Sequence, residues 1–308
     1  MKIRDKTARK VQENEIINRF LKVRSIFPFQ GYMDNKVSQY IAVIQRVISN
    51  YSPESGSKIL SIGSGPCDLE AILSNIGYNV TAIDDLNDLW HLLGNNKERI
   101  KNFARKSNVN LIVQSAESIK QRENYFDVVL LIDIIEHLHK SPRELLNYSI
   151  STLKPGGLLI VETPNSVSLV KRLSVLFGKG SQINSNFFYW NCGDYRSHVK
   201  EYTQSELKQI LSYHNLIEIK SKLINCQIDR VETHNLLEKI VVKIYQLPTM
   251  LFPTFKDTIL ISGIKNENWS PTPASITKFK TYYPQLEKYN LDNESDDAFI
   301  NKMINYNS

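Results

Sequence analysis

A glycine turn followed by three spaced polar groups is the part of this chain whose residue types and intervals suit chemistry. The run Ile62-Gly63-Ser64-Gly65-Pro66-Cys67-Asp68 follows a short apolar stretch and precedes a helical one. Glycines let a backbone turn tightly and let a ligand approach with no Cβ in the way. The helix start beyond them offers free N–H groups and a partial positive charge, a place suited to a carboxylate. Taken alone, the run reads equally well as an ordinary tight turn. Asp84 closes the run Ala82-Ile83-Asp84-Asp85, 21 residues after Gly63. At that interval a carboxylate can accept both hydroxyls of a ribose. Helix N-capping, by Asp85 more than by Asp84, is the alternative. Gln114-Ser115-Ala116-Glu117 and Leu131-Ile132-Asp133 close two further apolar runs.

These groups need elements that bring them to one edge. Apolar residues at helical spacing (Ile16, Ile17, Phe20, Leu21, then Val37, Ile41, Ile44, Ile48) predict helices over 12–24 and 34–50. From residue 58 the pattern alternates. Strands are expected at 58–63, 79–83, 110–114, 126–132 and 158–162, with helices at 68–76, 86–107 and 143–153. Strands joined by such helices pair in parallel through right-handed crossovers. Their Val, Ile and Leu content fits a sheet covered on both faces. Ligands on such sheets sit beyond the carboxyl ends of the strands, so four strand ends deliver polar groups to one rim.

Residues 163–200 break the rhythm and hold many large side chains, as a lid or pocket wall does. Phe187, Phe188, Tyr189 and Trp190 either wall an acceptor or form the core of this insertion. A helix is expected at 204–213, capped by Thr203 with Glu206 three residues on. A strand at 216–224, a helix at 231–245 and a last strand at 258–264 follow. The chain is thus divided into an N-terminal helical cap (1–52), a main domain (53–265) carrying the insertion, and a polar, loosely held extension (266–308).

With 308 residues, 42% hydrophobic and 23% charged, a sizeable core is feasible. No window holds the roughly 18 apolar residues of a membrane span. Cys67, Cys192 and Cys226 are far apart, which fits a reducing cytoplasm rather than a disulfide framework. The net charge of +6 invites a nucleic-acid partner. The lysines are scattered, however, and aromatics are not interleaved with arginines, so nucleic acid is not expected. The helices before residue 50 can cover the ligand, form a homodimer contact, or both.

The segments ILSIGSGPCDLEAIL, VTAIDD, QSAES, FDVVLLIDIIEHLHK and LKPGGLLIVETPN stand in this order over residues 58–165. In sequence and spacing they resemble the class I methyltransferases. The likeness is to the group that includes ubiquinone-biosynthesis O-methyltransferases and many small-molecule and sugar methyltransferases. HVKEYTQSELKQIL extends a looser match to about residue 211. The resemblance implies an α/β, Rossmann-like, seven-stranded, mostly parallel sheet with helices on both faces and the last strand inserted antiparallel. It implies S-adenosyl-L-methionine as cofactor. Gly63, Ser64 and Gly65 would line its methionine and ribose part, and Asp84 would bind the ribose hydroxyls, with Asp85 beside it. Ser115, Ala116 and Glu117 would sit by the adenine, and Asp133 would face the sulfonium end. Three departures stand out. Ser61 replaces a frequent acid, Cys67 a frequent third glycine, and Ser115 a frequent Asp. A dehydrogenase reading fails for want of the third glycine of the dinucleotide fingerprint.

Methyl transfer to an oxygen or nitrogen can need a base, and histidine suits that task near neutral pH. His137, His139 and His198 are the candidates, with His137 and His198 preferred. The resemblance also points to Asp133, Glu136 and His137 as positions that can hold a divalent cation. Metal-free relatives share the Glu-His pair, and no metal is expected. The acceptor is expected to be a small hydroxyl-bearing molecule such as a sugar or secondary metabolite. RNA methylation and a non-catalytic scaffold are the alternatives.

Overall fold

A computed structural model describes residues 2–115, 122–181, 185–226, 246–289 and 294–305. It divides into two compact units, Met1–Ser270 and Pro271–Ser308. The first holds a seven-stranded sheet: β1 (Lys58–Ile62), β2 (Asn79–Asp84), β3 (Asn110–Val113), β4 (Phe126–Ile132), β5 (Leu153–Pro164), β6 (Ile217–Ile224) and β7 (Thr258–Ile264). The spatial order is β3-β2-β1-β4-β5-β7-β6. The first five strands pair in parallel, and β7 pairs antiparallel with both β5 and β6. This is the expected methyltransferase-like sheet with its inserted antiparallel strand.

Strand side chains alternate between faces, so neighbouring residues enter different cores. Ile59, Val128, Leu130, Leu158 and Ile160 belong to one buried cluster. Leu60, Ile62, Val129, Leu131, Leu159 and Val161 belong to the other. The first is completed by α1 (Lys2–Ile26), α2 (Val37–Ile48), α3 (Asp68–Ile76) and α4 (Asn96–Lys106), through residues such as Phe20, Ile44, Ile72 and Phe103. The second is completed by α5 (Arg143–Thr152) and α8 (Gln204–Tyr213), through Leu146, Ile150, Leu207 and Leu211. The central strands β1, β4, β5 and β7 are mostly buried, which is why their sequences read as apolar runs, whereas the edge strands β3 and β6 are partly exposed.

The elements depart from expectation in three places. The helix expected over 86–107 starts only at Asn96. Asp84 and Asp85 each accept from the N–H two residues on, at Leu86 (2.7 Å) and Asn87 (2.9 Å), and Leu86 takes φ +51°. Such local side-chain bonds compete with helix formation. β5 begins at Leu153, ahead of the expected 158. Its pairing jumps from Phe126↔Leu153 to Val128↔Leu158 around Gly156, whose φ is +75°. The insertion contains α6 (Leu169–Leu176) and the short α7 (Ser185–Tyr189). The helix expected at 231–245 lies outside the described residues. The capping box forms as read: Glu206 N–H donates to Thr203 Oγ1 (3.2 Å) and Thr203 N–H to Glu206 Oε2 (2.7 Å). The second unit carries helices Ile276–Tyr282, Leu286–Tyr289 and Asp296–Asn305. No described helix is long and apolar enough to cross a membrane.

Candidate active site

β1 and β2 together shape the glycine turn. Gly63 N–H donates to Ile83 O at 2.7 Å, which carries the ladder one residue past the strand. Gly63 and Gly65 take φ +69° and +55°, a region that side-chain-bearing residues enter at a cost. Gly65 N–H then donates to Asp84 Oδ2 at 2.7 Å, while Leu86 N–H holds Oδ1. Asp84 thus clamps the turn from the neighbouring strand. Each oxygen keeps a further lone pair for a ligand hydroxyl. Burial pushes the Asp84 carboxyl up to about 6, against the pull of those two amides. A Cβ built on Gly65 meets nothing within 4 Å, so open space adjoins the clamped turn. The residues present therefore fit an adenosyl ligand in the expected place.

Asp68 opens α3. Tyr40 Oη donates to its Oδ2, and Lys36 Nζ stands 3.5 Å from the same oxygen and 3.8 Å from the Tyr32 ring. The cap before β1 therefore sets a cation at this helix start. Cys67 is buried with φ +64°, and burial drives its thiol well above the usual range. That makes it a poor nucleophile. Ser61 donates to Glu70 Oε1 at 2.6 Å. A carboxyl thus reaches the position beside the turn from α3 rather than from β1. Burial raises Glu70 to about 8, against the Ser61 bond. Ser115 lies just past β3, and Ala116 and Glu117 fall outside the described residues.

Asp133 ends β4 in the left-handed region (φ +53°). Its Oδ2 accepts from Gln39 Nε2 at 2.9 Å, and the same amide donates to Glu162 Oε2 at 2.7 Å. Glu162 is fully enclosed; burial and then the Asp133 carboxylate hold its carboxyl well above the ordinary range. The sequence reading missed Gln39 and Glu162 as site residues. One signal existed: Gln39 shares a helix stripe with Val43 and Val47, both completely buried.

Residues 135–137 form a 3₁₀ turn after β4 that sets the histidine side of the rim. Glu136 is wholly buried, and Thr163 Oγ1 donates to its Oε2 (2.8 Å). Burial, reinforced by Asp133, raises its carboxyl to about 8. His137 Nδ1 donates to Arg196 O (2.9 Å), which leaves Nε2 facing Glu136 Oε1 at 3.9 Å. His198 Nδ1 bonds Glu201 Oε1 (2.8 Å), and Lys171 holds the other Glu201 oxygen. The His137 and His198 rings meet edge-on with centroids 4.9 Å apart. Burial, with His137 beside it, pushes His198 down to about 4. Its imidazole is then neutral at pH 7. His139 instead bonds Tyr195 O (2.6 Å) at the exposed edge.

The structure brings His137 and His198 together, along with Glu136, whose donor atoms lie within 4.8 Å of theirs. It gives Asp85 a different setting from Asp84, with Arg196 Nη2 shared between its two carboxylate oxygens. Tyr202 is buried within the second core. Phe187 to Trp190 are each more than half exposed, so they are not the core of the insertion.

Among curated proteins, the ubiquinone biosynthesis O-methyltransferase of Rickettsia prowazekii is 32% identical over 183 residues, 58% of this chain and 65% of that protein. The protein of the same name from Xanthomonas campestris is 29% identical over 122 residues, 39% of this chain and 48% of its own length. The chain spans about half to two thirds of the curated relatives it matches. A solved SAM dependent methyltransferase from Archaeoglobus fulgidus superimposes with a TM-score of 0.47 at 19% identity, covering 73% of this chain and 92% of that one. The methyltransferase domain family matches residues 30–217, from the aromatic turn before α2 through the strap that carries His198 and on to the start of β6. On that match, which takes in more than half of the chain, the protein belongs to the methyltransferase domain family.

Proposed function

We propose that the chain is an S-adenosyl-L-methionine-dependent methyltransferase that modifies a hydroxyl of a small molecule such as a sugar or secondary metabolite. The observation that carries this reading is the clamp of Asp84 on Gly65 beside open space, with Asp133 and His198 further along the same rim. The names of the curated relatives support oxygen as the methylated atom. When bound, the cofactor supplies an activated methyl on a sulfonium, so the protein chiefly positions the acceptor.

The residues divide the work. Asp84 accepts the ribose hydroxyls, and Gly63, Ser64 and Gly65 let the backbone close on the ligand. Lys36 and the free amides of α3 meet the methionine carboxylate. Asp133, aimed by Gln39, faces the sulfonium and complements its charge. His198, oriented by Glu201, takes the acceptor proton, and His137 shapes the wall beside it. We assign the cluster of Glu136, His137 and His198, whose donor atoms lie within 4.8 Å of one another, to proton transfer. All three cysteines are free, which suits a reducing compartment such as the cytoplasm.

Calorimetry with adenosylhomocysteine tests the assignment. The protein should bind it, and Asp84→Ala should weaken binding by roughly 10- to 150-fold, the effect of losing charge-assisted hydrogen bonds. Equal affinity in the variant would remove Asp84 from the pocket.

A further inference from the structure

One residue of the insertion touches two rims that the sheet holds apart. Asp85 and Asp88 follow β2, Glu136 and His137 follow β4, and β1 with its glycine turn lies between them. Neighbouring strands are about 4.8 Å apart, so these rims stand about 10 Å apart. Arg196 reaches both. Its Nη2 donates to Asp85 Oδ1 (2.8 Å) and Oδ2 (3.0 Å), and its Nε to Asp88 Oδ1 (3.0 Å). Its own carbonyl accepts from His137 Nδ1.

The flanking residues are stapled to the histidine side. Tyr195 O accepts from His139 Nε2. Val199 and Lys200 N–H both donate to Glu136 O, at 2.7 and 3.1 Å. His198 lies inside this stapled stretch. Joined to Asp85 on one side and to His137 on the other, this stretch spans the two rims that flank the glycine turn.

We propose that Arg196 is a positioning residue that couples occupation of the cofactor groove to the placing of His137 and His198. The inference rests on the reading of that groove as the cofactor site. A ligand running from Asp84 to Asp133 lies beneath the 195–200 strap, so the strap must lift for it to enter. The ion pairs with Asp85 and Asp88 draw the strap down again over the ligand. The carbonyl of the same residue then fixes the His137 ring as its Nδ1–H form. The adjoining backbone returns His198 to the acceptor side. The same residue thereby links the filling of the groove to the placing of the base. The bonds of the planar guanidinium to two carboxylates, Nη2 to Asp85 and Nε to Asp88, fix the direction of closure.

Amide hydrogen exchange of the whole protein tests this, with adenosylhomocysteine as the probe. In the unaltered protein the ligand should slow exchange at Val199 and Lys200 by about 5- to 50-fold, within the usual range of coupling between sites. Arg196→Ala should still bind the ligand in calorimetry but lose this added protection. Arg196→Lys should recover part of it. Asp88→Asn, at a half-exposed position outside the groove, should lose an intermediate amount. Full ligand-induced protection in Arg196→Ala would overturn the proposal, as would equal protection in all three variants. Failure of the unaltered protein to bind the ligand would refute the cofactor site itself, and calorimetry separates that result from a loss of coupling.

Discussion

The glycine turn and the 195–201 strap are held by opposite means. The turn is fixed by backbone amides on a half-buried carboxylate, with both bonds at 2.7 Å. The strap is fixed to β2's rim by a guanidinium whose side chain is 43% exposed. Hydrogen bonds to a charged group contribute about 1.5–3 kcal/mol. Exposed ion pairs contribute only about 0.2–1 kcal/mol. One side of the groove is therefore a standing template and the other a cover that can open. That division suits methyl transfer, where the donor is gripped the same way in every cycle and the acceptor side must admit and release molecules.

The largest effect should come from the cover. His198→Gln removes the proton acceptor while leaving the template untouched. General acid–base groups typically contribute about 10²- to 10⁴-fold. Turnover on a hydroxyl acceptor, followed by label transfer from the cofactor, should fall within that range. Adenosylhomocysteine affinity should stay within about twofold, because His198 touches none of the residues that grip the ligand. An undiminished rate would pass the base's role to His137 and reverse the comparison.

The same contrast governs what could be read from the sequence. The central strands were legible because they are mostly buried, in apolar runs such as Val128–Ile132. Asp84 was legible because a strand, a turn and a crossover helix fix the interval from Gly63. Partners that meet through tertiary packing were not. Gln39 reaches Glu162 across 123 residues, and Arg196 reaches Asp85 across 111. No local pattern records either meeting. The stretch 86–95 misled because Leu89, Leu92 and Leu93 fall at near-helical spacing. All three are exposed, and the two aspartates before them close turns instead of a helix. Ser61 looked like a missing acid, whereas the carboxyl comes from Glu70, in the first turn of α3.

The template can be probed with two alanines that separate stability from binding. A Cβ on Gly63 would fall 1.9 Å from Ile134 Cδ1, at a positive φ. Gly63→Ala must shift Ile134 and with it the end of β4, and should destabilise the fold by about 2–4 kcal/mol. At Gly65 the φ is also positive, but nothing lies within 4 Å. Gly65→Ala should cost the fold only about 1–2 kcal/mol. It should nonetheless weaken adenosylhomocysteine by about tenfold or more, as the methyl enters the space meant for the ligand. Urea unfolding and calorimetry on both variants read the two effects apart. A Gly65→Ala protein that binds normally would show that the open space is not the groove.

The smallest effect is one of pH, and it sets fold against ligand at the same carboxylate. Burial lifts Asp84 from 3.8 to about 6 in the folded protein. Its pKa is thus raised on folding, so between pH 4 and 6 the native state holds more protons than the unfolded one. The stability linked to this group is present in full below the unfolded value and is lost as pH rises through 6. Ligand binding runs the other way, because ribose hydroxyls need the ionised form to accept them. Below pH 6 adenosylhomocysteine affinity should fall, by up to roughly tenfold per pH unit for one linked proton. At pH 6 binding should release a fraction of a proton, measured by calorimetry in buffers of different ionisation enthalpy. Asp84→Asn should abolish both signals. If affinity instead stayed level from pH 5 to 8, the ribose hydroxyls would not rest on Asp84, and the turn would be clamped by a residue with no part in binding.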